Sequence, residues 1–284
     1  MGRATARLFD AMAEDYDVLE PWYEHLYALL HSILLDTLAP SRGERRARAL
    51  DAGCGTGFQT ELLERLGYET HGVDVAPGLL AVARRRLPSP ELSLASVDAL
   101  PYRDASFEAA VCCGSTLSFV DDPGAALSEL ARVLEPGARL LFDVEHRWSL
   151  DLAWTLASAL GGDALGYGVP PRDAWRQLTR GASVTYPGYG PLRLFTRAEL
   201  RALLARAGLR PLRWWGIHSV TNLIPSTILH RDTLGPVTVA LYRRLRALDA
   251  RLSATPLGAR TCNSLVILAE RVSARPSDAR LAAP

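Results

Sequence analysis

This sequence contains no lysine, and its 32 basic residues, all arginine, stand against 31 acidic residues. A phosphate-binding loop of the Gly-Lys-Ser/Thr type is therefore excluded, because its lysine is missing. The net charge of +1 also argues against a general nucleic-acid binder, which needs a basic excess to neutralise phosphates. We expect no nucleic acid among the partners of this protein.

Cysteines are few, and long apolar runs are missing. The four cysteines, two of them adjacent, provide neither a disulfide framework nor a metal-binding spacing, so we expect no metal site. No run of 18 apolar residues could span a membrane, and the N-terminal residues lack the basic region and apolar core of a signal peptide. These absences favour a cytoplasmic protein.

What is present suffices for a sizeable core. With 284 residues, 48% of them apolar, the chain can form one large domain or one domain with a cap. Strand and helix patterns alternate from Ala47 to Glu145. Such alternation predicts a parallel sheet with right-handed crossovers.

Three glycines at alternate positions, Gly53, Gly55 and Gly57, follow a short apolar run and precede a helical pattern from Gln59 to Leu66. Glycine allows a sharp turn with positive φ and lets a ligand approach the backbone closely. The helix start adds unpaired N–H groups at the same place. A dinucleotide fingerprint would need glycine at position 58, where Phe58 stands, so a nicotinamide-dependent oxidoreductase is disfavoured.

Aspartates stand beside this turn and at the ends of the next two predicted strands. Asp51 precedes the glycines, and Asp74 ends a strand predicted over residues 70–75. A carboxylate about 20 residues after such a turn can accept hydrogen bonds from both hydroxyls of a ribose. Asp98 closes a third strand, predicted over residues 92–99.

The pattern Asp51-x-Gly53-x-Gly55-x-Gly57 resembles motif I of the class I S-adenosylmethionine-dependent methyltransferases. Residues 135–142 resemble the "L-x-P-G-G-x-L" turn into strand five of that family, and residues 9–17 are similar to the "F-D-x-x-A-x-x-Y-D" segment of its quinone-type and related small-molecule branch. Over residues 47–145 the chain is identified as a member. The resemblance implies an α/β fold, with a Rossmann-like, doubly wound, mostly parallel seven-stranded sheet and helical cap insertions.

The resemblance also implies S-adenosylmethionine as the cofactor. It places the methionine ammonium near Asp51, the adenine near Asp98 and Ala99, and the methionine moiety beside Cys113. Tyr16, on an N-terminal lid, would face the sulfonium, for which an aromatic ring is a favourable neighbour. The predicted cofactor-binding residues are Tyr16, Asp51, Gly53, Cys54, Gly55, Asp74, Val75, Asp98, Ala99 and Cys113.

A methyl-transfer enzyme must align its acceptor behind the methyl group and, for some acceptors, remove a proton from it. His146 directly follows the fifth strand and is the first candidate for a catalytic base. A structural histidine that pairs with Glu145 is an equally good interpretation. His218, after the sixth strand, is the second candidate and lies further from the methyl group in the family.

The predicted organisation combines a central core with a lid and two inserts. The predicted segments are an N-terminal helical lid (1–40), a cofactor-binding core (41–146), a cap insert (147–194), a core helix and strand (195–217), a second cap insert with an amphipathic helix (218–262), a last core strand (263–273) and a tail (274–284). We expect the lid and both inserts to close over the carboxyl edge of the sheet.

Aromatic and apolar caps predict a small organic acceptor, aromatic or apolar, that is methylated at oxygen, nitrogen or carbon. The alternative is a non-catalytic S-adenosylmethionine-binding protein whose inserts form a partner-binding surface. The helix predicted at 236–252 is basic and amphipathic, a pattern that fits either packing on its own domain, which is commoner, or peripheral membrane contact. No feature indicates an oligomeric state.

Overall fold

The structure is a computed structural model, which describes residues 3–16, 27–39, 46–180, 183–186, 190–229, 231 and 233–273. The elements up to the fifth strand are α1 (Arg3–Ala11), α2 (Ala28–Thr37), β1 (Arg48–Ala52), α3 (Phe58–Arg65), β2 (Glu69–Asp74), α4 (Pro77–Arg86), β3 (Glu91–Leu94), β4 (Phe107–Cys112), α5 (Pro123–Val133) and β5 (Leu134–Glu145). They are followed by α6 (Leu150–Leu160), α7 (Pro171–Arg180), β6 (Ser183–Tyr186), β7 (Gly190–Arg193), α8 (Arg197–Arg206), β8 (Leu209–Ile217), α9 (Ser226–Leu229), α10 (Pro236–Leu252), α11 (Gly258–Thr261) and β9 (Ser264–Arg271). Parts of the predicted lid, residues 17–26 and 40, and the predicted tail, residues 274–284, lie outside the described residues.

Seven strands form one sheet in the order β3-β2-β1-β4-β5-β9-β8. The first five strands are parallel to one another, whereas β9 runs antiparallel to both β5 and β8. This is the mostly parallel α/β sheet that the resemblance implied. A separate two-stranded hairpin, β6 with β7, lies in the segment between β5 and β8.

Apolar layers cover both faces of the sheet, as expected for parallel strands connected by helices. On one face Phe142 packs in a cluster with Leu127 of α5 and Leu204 of α8. On the other face Leu141 packs in a cluster with Leu34 of α2 and Leu63 of α3. Successive residues of β5 thus point to opposite layers, as the pleat of a strand requires.

The strand register places both insert origins at the carboxyl edge of the parallel strands. Glu145, at the end of β5, is paired with Ser264, the first residue of β9, and Ser264 is also paired with Ile217, the last residue of β8. The segments 147–194 and 218–262 therefore both leave the sheet where β5 and β8 end.

The two inserts are bonded to each other. The Tyr167 hydroxyl donates to Asp151 Oδ1 at 2.6 Å, and the Ser226 N–H donates to the same oxygen at 3.2 Å. The Trp154 indole N–H donates to the Asn222 carbonyl at 2.9 Å. Helix α6 of the first insert therefore holds the 3₁₀ turn Thr221–Leu223 and helix α9 of the second insert.

Helix α10 is anchored by one carboxylate. Asp249 accepts hydrogen bonds from the N–H groups of Ser219 (3.0 Å), Val220 (2.6 Å) and Thr221 (3.1 Å), and from the Thr221 hydroxyl (2.5 Å). Tyr242, two turns before Asp249, is buried on the same side.

The apolar stripe of α10 is divided between two faces. The stripe predicted from the sequence comprises Val237, Leu241, Leu245, Leu248 and Leu252. Leu245 packs beside Tyr242, whereas Val237, Leu241 and Leu248 are exposed. The division follows from the anchoring of Asp249 and Tyr242, which turns only part of the stripe toward the domain. No helix of the described residues is both long and apolar enough to cross a bilayer.

Candidate functional site

The glycine turn after β1 has the backbone that its sequence predicts. Gly53, Gly55 and Gly57 have φ values of +83°, +53° and +93°, which residues with a Cβ rarely adopt. The N–H groups of Gly53 and Cys54 donate to the Val73 carbonyl at 2.7 and 2.9 Å, so the turn is fixed against β2.

Two of these glycines provide space for different reasons. A Cβ on Gly53 would lie 2.6 Å from the side chain of Thr116, so this glycine makes room for a neighbouring loop. A Cβ on Gly55 would meet no heavy atom within 4 Å. The open space beside Gly55 is therefore the part of the turn that a ligand can occupy.

A cleft of about 540 Å³, its open mouth included, lies at the carboxyl ends of β1, β2 and β4. Its lining comprises Phe9, Tyr16, Gly53, Cys54, Gly55, Thr56, Phe58, Gln59, Asp74, Leu79, Cys113, Gly114, Thr116 and Phe119. Ligands of open α/β sheets bind at this edge. Six of the ten predicted cofactor-binding residues are thus brought together: Tyr16, Gly53, Cys54, Gly55, Asp74 and Cys113.

Asp74, at the end of β2, is placed beside the turn. Its Oδ2 accepts the Gly55 N–H at 3.0 Å, and its Oδ1 accepts the Ala76 N–H at 2.9 Å. Burial raises the pKa of this carboxyl above its ordinary value, against the hydrogen bonds from Ala76 and Gly55, which lower it. A carboxylate has about four acceptor positions, so Asp74 retains capacity for donors from a ligand.

Asp51 lies beneath the turn and is 1% exposed. Its Oδ2 accepts the Thr60 hydroxyl at 2.7 Å, while its buried Oδ1 has no hydrogen-bond partner among the described residues. Burial raises the pKa of Asp51 to about 7, with Thr60 lowering it and Asp74 raising it further. A buried acceptor without a donor is unusual, and an ammonium or a water molecule would satisfy it.

Three aromatic rings cover the cleft. Phe9 lies edge-on to Tyr16, with ring centroids 6.3 Å apart, and to Phe119, with centroids 5.2 Å apart. Helix α1, which carries Phe9, is held on α4 by the Gly78 N–H, which donates to Asp10 Oδ1 at 2.6 Å. Phe9 belongs to the segment that carried the family resemblance, so a signal for it existed, whereas no sequence pattern pointed to Phe119.

The other predicted cofactor-binding residues are not in the cleft lining. Val75 is half-buried directly after Asp74. Asp98 is half-buried in a turn closed by the Ala99 N–H, which donates to the Ser96 carbonyl at 3.0 Å. Their roles, and those of the residues in the lining, remain predictions.

His146 does not line the cleft. Its ring is 3% exposed, with Nδ1 3.3 Å from the Cys262 carbonyl oxygen, and its backbone is bridged to Phe195. Burial lowers the pKa of this imidazole, although the Cys262 carbonyl raises it in part. The ring points away from Glu145, because neighbouring strand residues face opposite layers.

His218 follows β8 at the same edge of the sheet. It is half-buried, has a left-handed backbone with φ +58°, and places Nδ1 3.2 Å from the Thr221 hydroxyl. It is not part of the cleft lining either. The catalytic roles of His146 and His218 stay predictions.

The structure brings together two carboxylates that the sequence did not single out as a pair. The Ser115 hydroxyl lies 3.1 Å from Asp143 Oδ2 and 2.9 Å from Glu145 Oε1. Glu145 also accepts from the Ser264 hydroxyl at 3.2 Å and from the Asn263 amide at 3.0 Å. One of the two interpretations of His146 was a structural histidine that pairs with Glu145. The Glu145 carboxylate is instead hydrogen-bonded to Ser115, Asn263 and Ser264.

Known proteins resemble the central part of the chain in sequence. A family model described as a methyltransferase domain matches residues 50–142. The malonyl-[acyl-carrier protein] O-methyltransferase of Halorhodospira halophila is 41% identical over 145 residues, which are 49% of this chain and 47% of that protein. The ubiquinone biosynthesis O-methyltransferase of Xanthomonas oryzae pv. oryzae is 33% identical over 134 residues, 46% of this chain and 56% of that protein. The chain spans about half the length of the curated relatives it matches.

Solved structures resemble the chain over most of its length. A chain in the complex of a Haloferax volcanii methyltransferase with the Trm112 methyltransferase activator has a TM-score of 0.59 at 17% identity, covering 93% of this chain and 98% of that one. Geranyl diphosphate C-methyltransferase from Streptomyces coelicolor, solved with S-adenosyl-L-homocysteine, has a TM-score of 0.55 at 18% identity, covering 87% and 80%. At these identities the likeness shows the fold alone.

The same family is indicated by the family model, by the named relatives and by the glycine turn with Asp74 at the end of β2. The family and the cofactor predicted from the sequence are thereby confirmed. Residues 50–142 of this chain form a methyltransferase domain of the class I S-adenosylmethionine-dependent family.

Proposed function

We propose that this protein transfers a methyl group from S-adenosylmethionine to a small organic acceptor. The observation that carries the proposal is the cleft at the carboxyl ends of β1, β2 and β4, which the glycine turn forms and the aromatic rings cover. The relatives named malonyl-[acyl-carrier protein] O-methyltransferase and ubiquinone biosynthesis O-methyltransferase support methyl transfer. No observation favours the non-catalytic alternative.

The residues of the cleft fit the cofactor in three respects. The space beside Gly55 and Gly114, where a Cβ would meet no heavy atom within 4 Å, allows a ligand to approach the backbone. Asp74 would accept the ribose hydroxyls, and the unpartnered oxygen of Asp51 would accept the methionine ammonium directly or through water. Cys113, in the cleft lining, would lie beside the methionine moiety, with Asp98 and Ala99 toward the adenine.

When bound, the cofactor supplies an electrophilic methyl group and its own leaving group. The residues of the chain therefore need only to bind the cofactor and the acceptor, to orient them toward each other and to exclude water. The rings of Phe9, Tyr16 and Phe119 line the cleft, where an aromatic face would attract a cation and the apolar rings would displace water. Tyr16 is proposed to cover the sulfonium end.

We propose that the acceptor is aromatic or apolar and enters from the inserts. Both inserts begin at the carboxyl edge, and the first of them exposes Trp148 and Leu150 directly after β5. In the hairpin, Leu192 and Leu194 pack against Phe119 of the aromatic cover. The hairpin is thereby joined to the mouth of the cleft, where an acceptor must pass.

Helix α10 supports a further part of the proposal, peripheral contact with an anionic membrane surface. Val237 is 80% exposed, and Leu241 and Leu248 follow it on the same face. Arg244 and Arg251 are exposed among them. An apolar face flanked by arginines is the composition of helices that lie in a membrane interface. The cytoplasmic location predicted from the composition stays a prediction.

Calorimetric titration with S-adenosylhomocysteine tests the cofactor site. We expect the wild-type protein to bind and the Asp74→Ala variant to bind at least tenfold more weakly, because two charge-assisted hydrogen bonds of about 1.5–3 kcal/mol each are lost. A 2′-deoxy analogue should reduce this difference between the two proteins. The control is Asp36→Ala, which removes an exposed carboxylate on α2.

The outcomes separate cofactor binding from catalysis. Failure of the wild-type protein to bind S-adenosylhomocysteine would overturn the proposal. If it binds, transfer of labelled methyl from S-adenosylmethionine should be measured with a panel of phenols, amines and terpenoid alcohols. Binding without transfer to any of them would favour the non-catalytic alternative.

A further inference from the structure

The carboxylates of Asp143 and Glu145 share a single hydroxyl. Ser115 Oγ lies within hydrogen-bond distance of both, and its N–H also donates to Asp143 Oδ2 at 3.1 Å. A hydroxyl has one hydrogen, so it can donate to only one carboxylate at a time. If Glu145 takes up a proton, it can donate to Ser115 Oγ while that hydroxyl donates to Asp143. The triad Asp143–Ser115–Glu145 is therefore built to hold one additional proton.

No cation of the described chain neutralises this pair. Neither Asp143 nor Glu145 forms an ion pair with an arginine or a histidine within the ranges that the structure describes. Asp143 is 0% exposed, and its Oδ1 has no hydrogen-bond partner among the same residues. A buried carboxylate pair without a cation is costly unless it binds a proton or a donor.

The pair is connected to the cleft through Ser115, although Asp143 and Glu145 are not themselves in its lining. Ser115, which has a left-handed backbone with φ +56°, stands between Gly114 and Thr116, and both of these line the cleft. Asp143 is fully buried, whereas Glu145 is half-buried as a residue. Its Oε2 accepts only from the Asn263 amide among the hydrogen bonds described, which leaves a lone pair available.

We infer that Glu145 is the proton acceptor of the methyl transfer, held by Ser115 and Asp143, and that the methylated atom is a hydroxyl oxygen or a nitrogen that carries a proton. This inference rests on the proposed function. A carboxylate acceptor needs no base, and two uncompensated carboxylates beside the cleft would repel it.

The proposed step balances in protons and electrons. The acceptor's X–H bond breaks, and its proton passes to a carboxylate oxygen of Glu145. The electron pair left on X forms the bond to the methyl carbon, and the pair of the sulfur–methyl bond stays on sulfur. The proton then leaves Glu145, a half-buried residue, for solvent.

The surroundings of Glu145 place its titration near neutral pH. Burial is the main cause that raises the pKa of Glu145 to about 7; Asp143 on β5 and Asp151 on α6 raise it further, whereas Ser115 and Ser264 lower it. Cys262, before β9, is a further titratable group that interacts with it. A base with a pKa near the working pH is the most effective one.

Sinefungin, which carries a primary amine in place of the methyl group of the cofactor, tests this placement without a known acceptor. We would measure its affinity and that of S-adenosylhomocysteine by calorimetry at pH 6 and pH 8, in the wild-type protein and in Glu145→Gln. A carboxylate close to the methyl position should favour the ammonium of sinefungin. The preference for sinefungin at pH 8 should therefore fall by about tenfold or more in Glu145→Gln, and in the wild type it should weaken at pH 6.

The matched control is Glu91→Gln, the same change in charge at the start of β3 on the opposite edge of the sheet. It should leave the preference unaltered. A preference that is equal in the wild type and in Glu145→Gln would overturn the inference while leaving cofactor binding intact. If Glu145→Gln fails to fold, the wild-type pH series decides, because a preference independent of pH also overturns it. Absence of S-adenosylhomocysteine binding would instead overturn the proposed function.

Discussion

Buried aspartates stand both in the parallel half of the sheet and in the inserts, and they differ in what satisfies them. In the second insert Asp249 accepts four hydrogen bonds from neighbouring backbone and side-chain groups. In the core, Asp51 and Asp143 each keep one buried oxygen without a partner among the described residues. The same residue type is therefore structural where the chain supplies its donors, and available to a ligand where it does not.

The difference extends to the energy of the folded state. An aspartate surrounded by N–H donors stabilises the fold, because each donor would be unsatisfied without it. A buried aspartate short of donors destabilises the ionised form, and its pKa rises. Asp51 and Asp143, whose pKa values burial raises to about 7 and about 6, belong to the second kind. The core thus holds Asp51 and Asp143 at a cost in stability that Asp249 in the second insert does not impose.

The largest effect should come from Asp249→Ala. Removal of this carboxylate leaves four donors around the 219–221 turn without their acceptor, and at about 1 kcal/mol or more per donor the free energy of unfolding should fall by about 4 kcal/mol. Denaturant unfolding measures it, with exposed Asp36→Ala as the control expected within about 0.5 kcal/mol of wild type. A loss no larger than that of the control would mean that water satisfies the donors in the variant. The contrast between Asp249 and the buried aspartates of the core would then not hold.

The second effect concerns pH and Asp51. Its folded pKa of about 7 lies above the ordinary pKa of 3.8 for an aspartate, so the folded state holds the proton more tightly. The stability that this group provides is therefore lost as the pH rises toward 7. Between pH 5 and pH 7 the difference in unfolding free energy between wild type and Asp51→Asn should change by about 2 kcal/mol. Unfolding by guanidinium at both pH values measures it. A constant difference would show that a donor already satisfies Asp51.

The smallest effect should come from Tyr167→Phe. The hydroxyl that donates to Asp151 Oδ1 at 2.6 Å is lost, while Ser226 still donates to that oxygen. We expect the free energy of unfolding to fall by about 1 kcal/mol, and the affinity for S-adenosylhomocysteine to stay that of the wild type. A weakened affinity would show that the contact between the inserts acts on the cofactor cleft. The core and the inserts would then not be independent of each other in function.

Local patterns sufficed for much of the fold. The glycine turn and the alternation of strands and helices from Ala47 to Glu145 appear where the sequence predicts them. The third strand was predicted to reach residue 99 but ends at Leu94. Leu94 is paired with Asp74, the last residue of β2. Since β3 is an edge strand whose single neighbour is β2, the ladder of β3 ends where β2 ends, at Asp74.

The candidate site was less accessible to prediction, because its contacts join distant parts of the chain. The hydrogen bonds of Glu145 come from Ser115, 30 residues earlier, and from Ser264, 119 residues later. No local spacing carries such contacts. His146 was a candidate for the catalytic base because it follows β5 directly. Its place in the sequence does not say which layer its ring faces, because that depends on the pleat of the strand. In the structure the buried ring lies next to the Cys262 carbonyl.

The position of β9 has a consequence for the order in which the protein is made. This strand lies between β5 and β8, yet it is the last element of the sheet to leave the ribosome. Until it arrives, β5 exposes one edge, and Glu145 lacks the donors of Asn263 and Ser264. The glycine turn and Asp74 can form early from local contacts, whereas closure of the sheet depends on pairing across more than a hundred residues, which is slow. A nascent chain that ends before β9 would thus possess the cofactor-binding segment without the completed edge where the acceptor is proposed to bind.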